Sequence, residues 1–135
     1  MKMSKQKQFG VKIQIEFAAA HHIRGYDGEC SRPHGHNFKI EVEATTPVLN
    51  EIGLSFDFKH LKKIVKELAA RFDHQDLNLV EPFVSEINPT AETLAQYFFN
   101  EIDQKLMNAP DLSGIELKKV TVWENDRSAA SYGYL

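Results

Sequence analysis

Residues 9–17, Phe-Gly-Val-Lys-Ile-Gln-Ile-Glu-Phe, alternate apolar and polar side chains with hardly a break. Phe9, Val11, Ile13, Ile15 and Phe17 belong to one side of such a chain, and Lys12, Gln14 and Glu16 to the other. A helix would scatter these residues around its axis. An extended strand, whose side chains change face at every residue, gathers them into one apolar surface. "NFKIEVEAT" repeats the device, with Phe38, Ile40, Val42 and Ala44 set against Lys39, Glu41 and Glu43. The chain must therefore build a sheet with one wet and one buried face, and something apolar has to cover the second.

Two helical segments supply that cover. In "DFKHLKKIVKELAARF", Phe58, Leu61, Val65, Leu68 and Phe72 recur at three- and four-residue steps, which predicts a helix with one buried stripe and Asp57 as its N-cap. "NPTAETLAQYFFNEIDQKL" predicts a second, capped by Thr90, with Glu92 in the first turn where a negative charge suits the helix dipole. Its stripe is Ala91, Leu94, Ala95, Phe98 and Ile102. "GIELKKVTVWEN" and "SAASYGYL" read as two further strands, and the alternation of the former slips near Lys118 and Lys119, as a bulge requires. The expected order is β-β-α-α-β-β: an α+β domain with a four-stranded antiparallel sheet and both helices on one face. The 135 residues suit a single domain over 1–135, with 1–7 as a flexible tail. Its open sheet edges predict pairing with further copies of the chain.

Charge and composition narrow the partners. The formal net charge is -3 and no stretch concentrates Lys and Arg, which argues against nucleic acid. No run approaches the roughly 20 apolar residues of a membrane span. The lysine-bearing start "MKMSKQKQ" has no apolar stretch behind it to act as a signal peptide. Cys30, the only cysteine, has no intrachain partner for a disulfide, which suits a reducing compartment; the expected location is cytoplasmic.

The chemistry concentrates in "ECSRPHGHN", residues 29–37. If His34-Gly35-His36 is extended, both imidazoles leave one face, and Gly35 leaves room between them for an ion. His21 ends the first strand on the face of Phe17 and Ala19, whereas His22 takes the opposite face. Antiparallel pairing would bring His21 to the other two. Imidazole suits zinc. Three such ligands leave a tetrahedral ion one open position, the mark of a catalytic site, while Cys30 as a fourth would close it into a structural one. From the residues alone both arrangements stand, as does a plain surface pair for His34 and His36. His60 lies on the polar side of the first helix and reads as solvated.

Taken in order, these segments resemble the 6-pyruvoyltetrahydropterin and 6-carboxytetrahydropterin synthase family. "FAAAH" (17–21) is similar to its F-x-A-A-H, and "CSRPHGHN" (30–37) to its C-x-x-x-H-G-H-N. "FDHQDLN" (72–78) resembles L-D-H-x-x-L-N with Phe for Leu, and "NPTAETLA" (88–95) resembles N-P-T-x-E-x-L-A. "VWEN" (122–125) and "LSFDFKHLK" (54–62) resemble its V-x-E and D-F-x-x-L-K segments.

The resemblance implies the tunnelling fold, whose element order is the one read above. It implies trimers that close their sheets into a barrel, stacking into a homohexamer with active sites between subunits. It also implies a small-molecule substrate, 7,8-dihydroneopterin triphosphate, and zinc held by His21, His34 and His36. Substrate hydroxyls would fill the open position, where zinc as a Lewis acid acidifies neighbouring carbon-bound protons. Cys30 is implied as the base, since a thiol titrates near 8.5 and lower beside cations. A family variant uses Glu instead; Glu29 is adjacent, but the spacing to His34 fits Cys30. Asp73 and His74 are implied as a partner pair, the carboxylate fixing an imidazole tautomer within one chain or between subunits. Glu124 is implied to accept two N–H groups of the pterin edge, and Thr90, chiefly a helix cap, to lie near the pterin.

Arg24, Arg32 and Arg127 are candidates for the triphosphate, with nothing to choose among them. "WENDRSAASY" (123–132) departs from the family's pattern. Two products are open: 6-carboxytetrahydropterin with loss of acetaldehyde, or 6-pyruvoyltetrahydropterin by elimination of triphosphate. The compact C-x-x-x-H-G-H loop resembles the carboxy branch more. A non-catalytic, zinc-stabilised pterin-binding module is the alternative from another class.

Overall fold

The first two strands pair antiparallel along their whole length, β1 over Phe9–His21 and β2 over His34–Thr46, with Phe9 opposite Thr46 and His21 opposite His34. The computed structural model that shows this describes residues 6–135. Of the expected tail, residues 1–5 lie outside the described residues, and Gln6 and Lys7 are exposed without regular structure. Helix α1 covers Phe58–Ala69, strand β3 Gln75–Asp76, helix α2 Ala91–Met107, strand β4 Glu116–Trp123 and strand β5 Ala129–Gly133. The sheet runs β3-β1-β2-β4-β5. The four expected strands form its antiparallel body. A fifth, two residues long, joins parallel to β1 at Ala19 and Ala20. Two residues are too few to show any alternation, so sequence pattern cannot announce such a strand.

Strand parity holds as expected. Ile13, Ile15, Phe17, Phe38, Ile40, Val42, Val120 and Val122 are buried beneath the helices in one core, with α1 against β1 and α2 against β4 and β5. Phe17 stacks on Phe38 with ring centroids 5.2 Å apart, and Phe72 and Phe98 tilt against Phe17. The element ends overrun the core: Phe9 and Phe58, expected on buried stripes, are both about half exposed at 48%. The other sheet face carries charge in pairs, with Lys12 near Glu41 and Glu43, and Lys119 3.3 Å from Glu43.

The slip near Lys118 is a bulge. Lys119 faces Glu43 and Leu117 faces Ala44, which leaves Lys118 unmatched. Gly133 lies against this bulge at φ +147, where an added Cβ would come 2.3 Å from the Lys118 carbonyl oxygen, so only glycine fits. Both helices are capped as expected. The Asp57 carboxylate accepts from Lys59 N–H at 2.9 Å, and Thr90 and Thr93 form a reciprocal capping box.

Candidate metal centre

Cross-strand register places the histidines. His21 pairs with His34 and Ala19 with His36, so all three imidazoles rise from one sheet face at one end of β1 and β2. Ring centroids are 4.5 Å apart for His21–His34, 5.1 Å for His21–His36 and 4.9 Å for His34–His36. One nitrogen from each lies within 4.8 Å of the others. An ion bound at about 2.1 Å by three nitrogens holds them about 3.4 Å apart, a distance that modest side-chain rotations reach.

The donor set fits a metal on chemical grounds. His21 is 0% exposed, and its Nε2 is buried without any hydrogen-bond partner. Its Nδ1 lies 2.7 Å from the Pro89 carbonyl and donates to it, which fixes the tautomer and leaves a lone pair on Nε2. A buried polar atom left so costs about 1–3 kcal/mol, a cost that an ion would remove. His34 repeats the arrangement, its Nδ1 donating to the Arg32 carbonyl at 2.8 Å. Burial lowers the pKa of His21, opposed by the Pro89 carbonyl and reinforced by His34. Burial likewise lowers that of His36, opposed by Glu124. Both rings are held toward the neutral form that binds metals.

Glu124 follows β4 directly and turns its carboxylate to the cluster, with Oε1 3.9 Å from His21 Nε2 and Oε2 4.0 Å from His36 Nε2. Cys30 sits exposed in a single 3₁₀ turn over Glu29–Ser31. His21, His34, His36, Glu124, Cys30, Glu29 and Ile23 together line a cavity of about 270 Å³. Thus five of the eight expected site residues meet in one place.

The other three lie elsewhere. Asp73 and His74 grip the outer edge of β1: the Asp73 carboxylate accepts from Ala18 N–H at 3.0 Å, and His74 N–H donates to the Ala18 carbonyl at 2.6 Å. Their side chains meet at 3.1 Å, and His74, at φ 59 in the left-handed region, is 81% exposed. The Ala18 N–H bond lowers the Asp73 pKa, with His74 adding to it. Neither lines the cavity, and neither does Thr90, which caps α2. Of the candidate arginines, Arg24 donates to the Ile87 carbonyl at 2.7 Å, and Arg32 and Arg127 are exposed. His60 pairs loosely with Asp111 at 3.7 Å on the surface. Pattern reading missed the Pro89 carbonyl, since a main-chain oxygen leaves no mark in a sequence; the adjacent helix cap is the only hint of its fixed position.

The profile of the 6-pyruvoyl tetrahydropterin synthase family matches residues 10–134. The chain belongs to this family. An Archaeoglobus fulgidus protein with the provisional name 6-carboxy-5,6,7,8-tetrahydropterin synthase is 37% identical over 122 residues, covering 90% of this chain and 92% of the other. The Aquifex aeolicus 6-carboxy-5,6,7,8-tetrahydropterin synthase is 30% identical, covering 77% and 75%. The human 6-pyruvoyl tetrahydrobiopterin synthase is 28% identical, covering 93% and 91%. Among solved structures, Caenorhabditis elegans 6-pyruvoyl tetrahydropterin synthase shares the fold at a TM-score of 0.78 and 24% identity, covering 97% of this chain and 99% of that one.

Proposed function

We propose that this protein is a zinc-dependent lyase that converts 7,8-dihydroneopterin triphosphate to 6-carboxy-5,6,7,8-tetrahydropterin. One water is consumed, acetaldehyde and triphosphate leave, and the product serves queuosine-type deazaguanine synthesis. The observation that carries this reading is the convergence of three histidines, a cysteine and a carboxylate on one cavity. The relatives at 37% and 30% identity bear the carboxy name, while the human protein at 28% bears the pyruvoyl name. That difference favours the carboxy product.

His21, His34 and His36 hold the ion. When bound, zinc supplies Lewis acidity that weakens the carbon-bound protons of the substrate's hydroxylated side chain. Cys30, exposed on the cavity wall, takes such a proton as its thiolate. Glu124 faces the ligand nitrogens at 3.9 and 4.0 Å, so its carboxylate meets whatever occupies the centre of the cavity. From there it has two competing uses, the pterin-edge anchor that the resemblance implies and a second proton acceptor beside the ion. Asp73 and His74, outside the cavity of their own chain, would serve the site of a neighbouring copy in a cytoplasmic homohexamer with sites between subunits. Thr90 then contributes chiefly through its helix cap.

The test is product identity from zinc-loaded protein and 7,8-dihydroneopterin triphosphate. Acetaldehyde with carboxypterin supports the proposal, and pyruvoylpterin without acetaldehyde assigns the other branch. Retained zinc with no turnover leaves only a binding module.

A further inference from the structure

The three residues that follow His21 leave the sheet, yet the main chain of each is held. His22 N–H donates to Asn78 Oδ1 at 2.9 Å, and Asn78 Nδ2 donates back to the His22 carbonyl at 3.1 Å. Arg24 is gripped in the same way by Asn88, at 2.9 Å in both directions. Between them, Ile23 N–H donates to the Cys30 carbonyl at 2.8 Å. Two side-chain amides thus stand in for a neighbouring strand. A carboxamide carries a donor and an acceptor side by side, which is what closing both main-chain groups of one residue requires.

Each asparagine is itself anchored. Asn78 is only 4% exposed, and its N–H donates to Asp76 Oδ1 at 3.0 Å. The Asn88 carbonyl accepts from Thr90 N–H at 3.0 Å and from the Thr93 hydroxyl. The capped start of α2 and the turn after β3 therefore reach across to residues 22 and 24. That leaves residue 23 aimed at the turn that carries Cys30.

We infer that Asn78 and Asn88 are positioning residues: through the main chain of residues 22–24 they hold Cys30 beside the histidine cluster. The inference rests on the zinc site proposed above, but its test uses no substrate. Cys30 is the only thiol in the chain, so its alkylation is read without interference. A divalent ion beside a thiol alters the thiol's reactivity, and the effect fades as the two separate. Asn→Asp keeps the acceptor for the main-chain N–H at either position but sets a second oxygen against the main-chain carbonyl, which breaks the bond the amide donated and repels that carbonyl. The histidines, fixed by strand register and the Pro89 carbonyl, keep their ion.

The experiment measures the iodoacetamide rate at Cys30 with and without one equivalent of zinc, in the full chain and in Asn78→Asp and Asn88→Asp. In the parent, zinc changes the rate several-fold. In variants that remain folded and bind one zinc, that ratio falls toward one. A parent ratio of one, or variants that keep the parent ratio, overturns the inference. Should the buried Asn78→Asp fail to fold, the half-buried Asn88→Asp decides. Asn88→Ser, which deletes both bonds without adding charge, decides in its place if that too is unstable. A parent that shows the coupling, and loses it in the variants, but turns over no pterin would sink the proposed function and leave this inference standing.

Discussion

Metal-free protein should lose stability steeply between pH 7 and pH 5.5, because two histidines of the cluster are kept neutral by burial. The folded-state pKa values of His21 and His36 both lie below 6.5, burial being the largest cause in each. The unfolded chain titrates near 6.5, so over this window it binds more protons than the folded chain, and stability falls as pH falls. The loss begins as pH drops through the unfolded value and levels off below the folded one. If a histidine stays neutral when folded, the loss from pH 7 to 5.5 is about 1.3 kcal/mol, or about 2.5 kcal/mol for the pair. This is a ceiling, since the His36 side chain is 21% exposed and water there relieves part of the penalty. Urea unfolding of chelator-treated protein at fixed concentration, followed by the fluorescence of Trp123, the only tryptophan, measures it. The midpoint should fall by about 1–2 M. His36→Gln should remove up to half of the pH dependence. A midpoint that is flat or rises toward pH 5.5, or a His36→Gln profile matching the parent, refutes the reasoning.

Four further outcomes test the site. Cys30→Ala should keep zinc, fold and thermal midpoint while product formation falls by about 10²–10⁴-fold, measured by single-turnover assay. Equal mixing of inactive Cys30→Ala and His74→Ala subunits should restore about one quarter of parent activity if each site draws the two residues from different copies; no recovery places both in one chain. Glu124→Gln should lower kcat with KM kept if the carboxylate moves a proton, and raise KM with kcat kept if it anchors the ring. Thr90→Ala should cost about 1 kcal/mol in urea unfolding, and should weaken zinc binding by calorimetry because the cap steadies the Pro89 carbonyl against His21.

Much of this architecture is legible in the residues. Alternation assigns Ile13, Ile15, Phe38 and Ile40 to the core face because side-chain direction in a strand has a period of two. The same parity puts His21, His34 and His36 on one face, and the register then joins them. Asp57 and Thr90 are readable as caps because only a few side chains satisfy free helix N–H groups. The bulge betrays itself as a break of parity at Lys118. The two-residue strand at Gln75–Asp76 carries no pattern, and the half-exposed Phe9 and Phe58 show that periodicity does not tell where the core stops.

Side-chain chemistry and spacing, which are written in the residues, determined which face each strand buries and which three imidazoles could share an ion. Which main-chain oxygen orients the buried His21 was decided only in three dimensions. The Pro89 carbonyl that orients His21 lies 68 residues away, and the amides that grip His22 and Arg24 come from residues 56 and 64 positions on. Tertiary packing also set the Glu124 carboxylate against the cluster and left Asp73 and His74 on the outer edge of β1. The reason is physical: a main-chain carbonyl is the same on every residue, so its role depends on where the folded chain carries it.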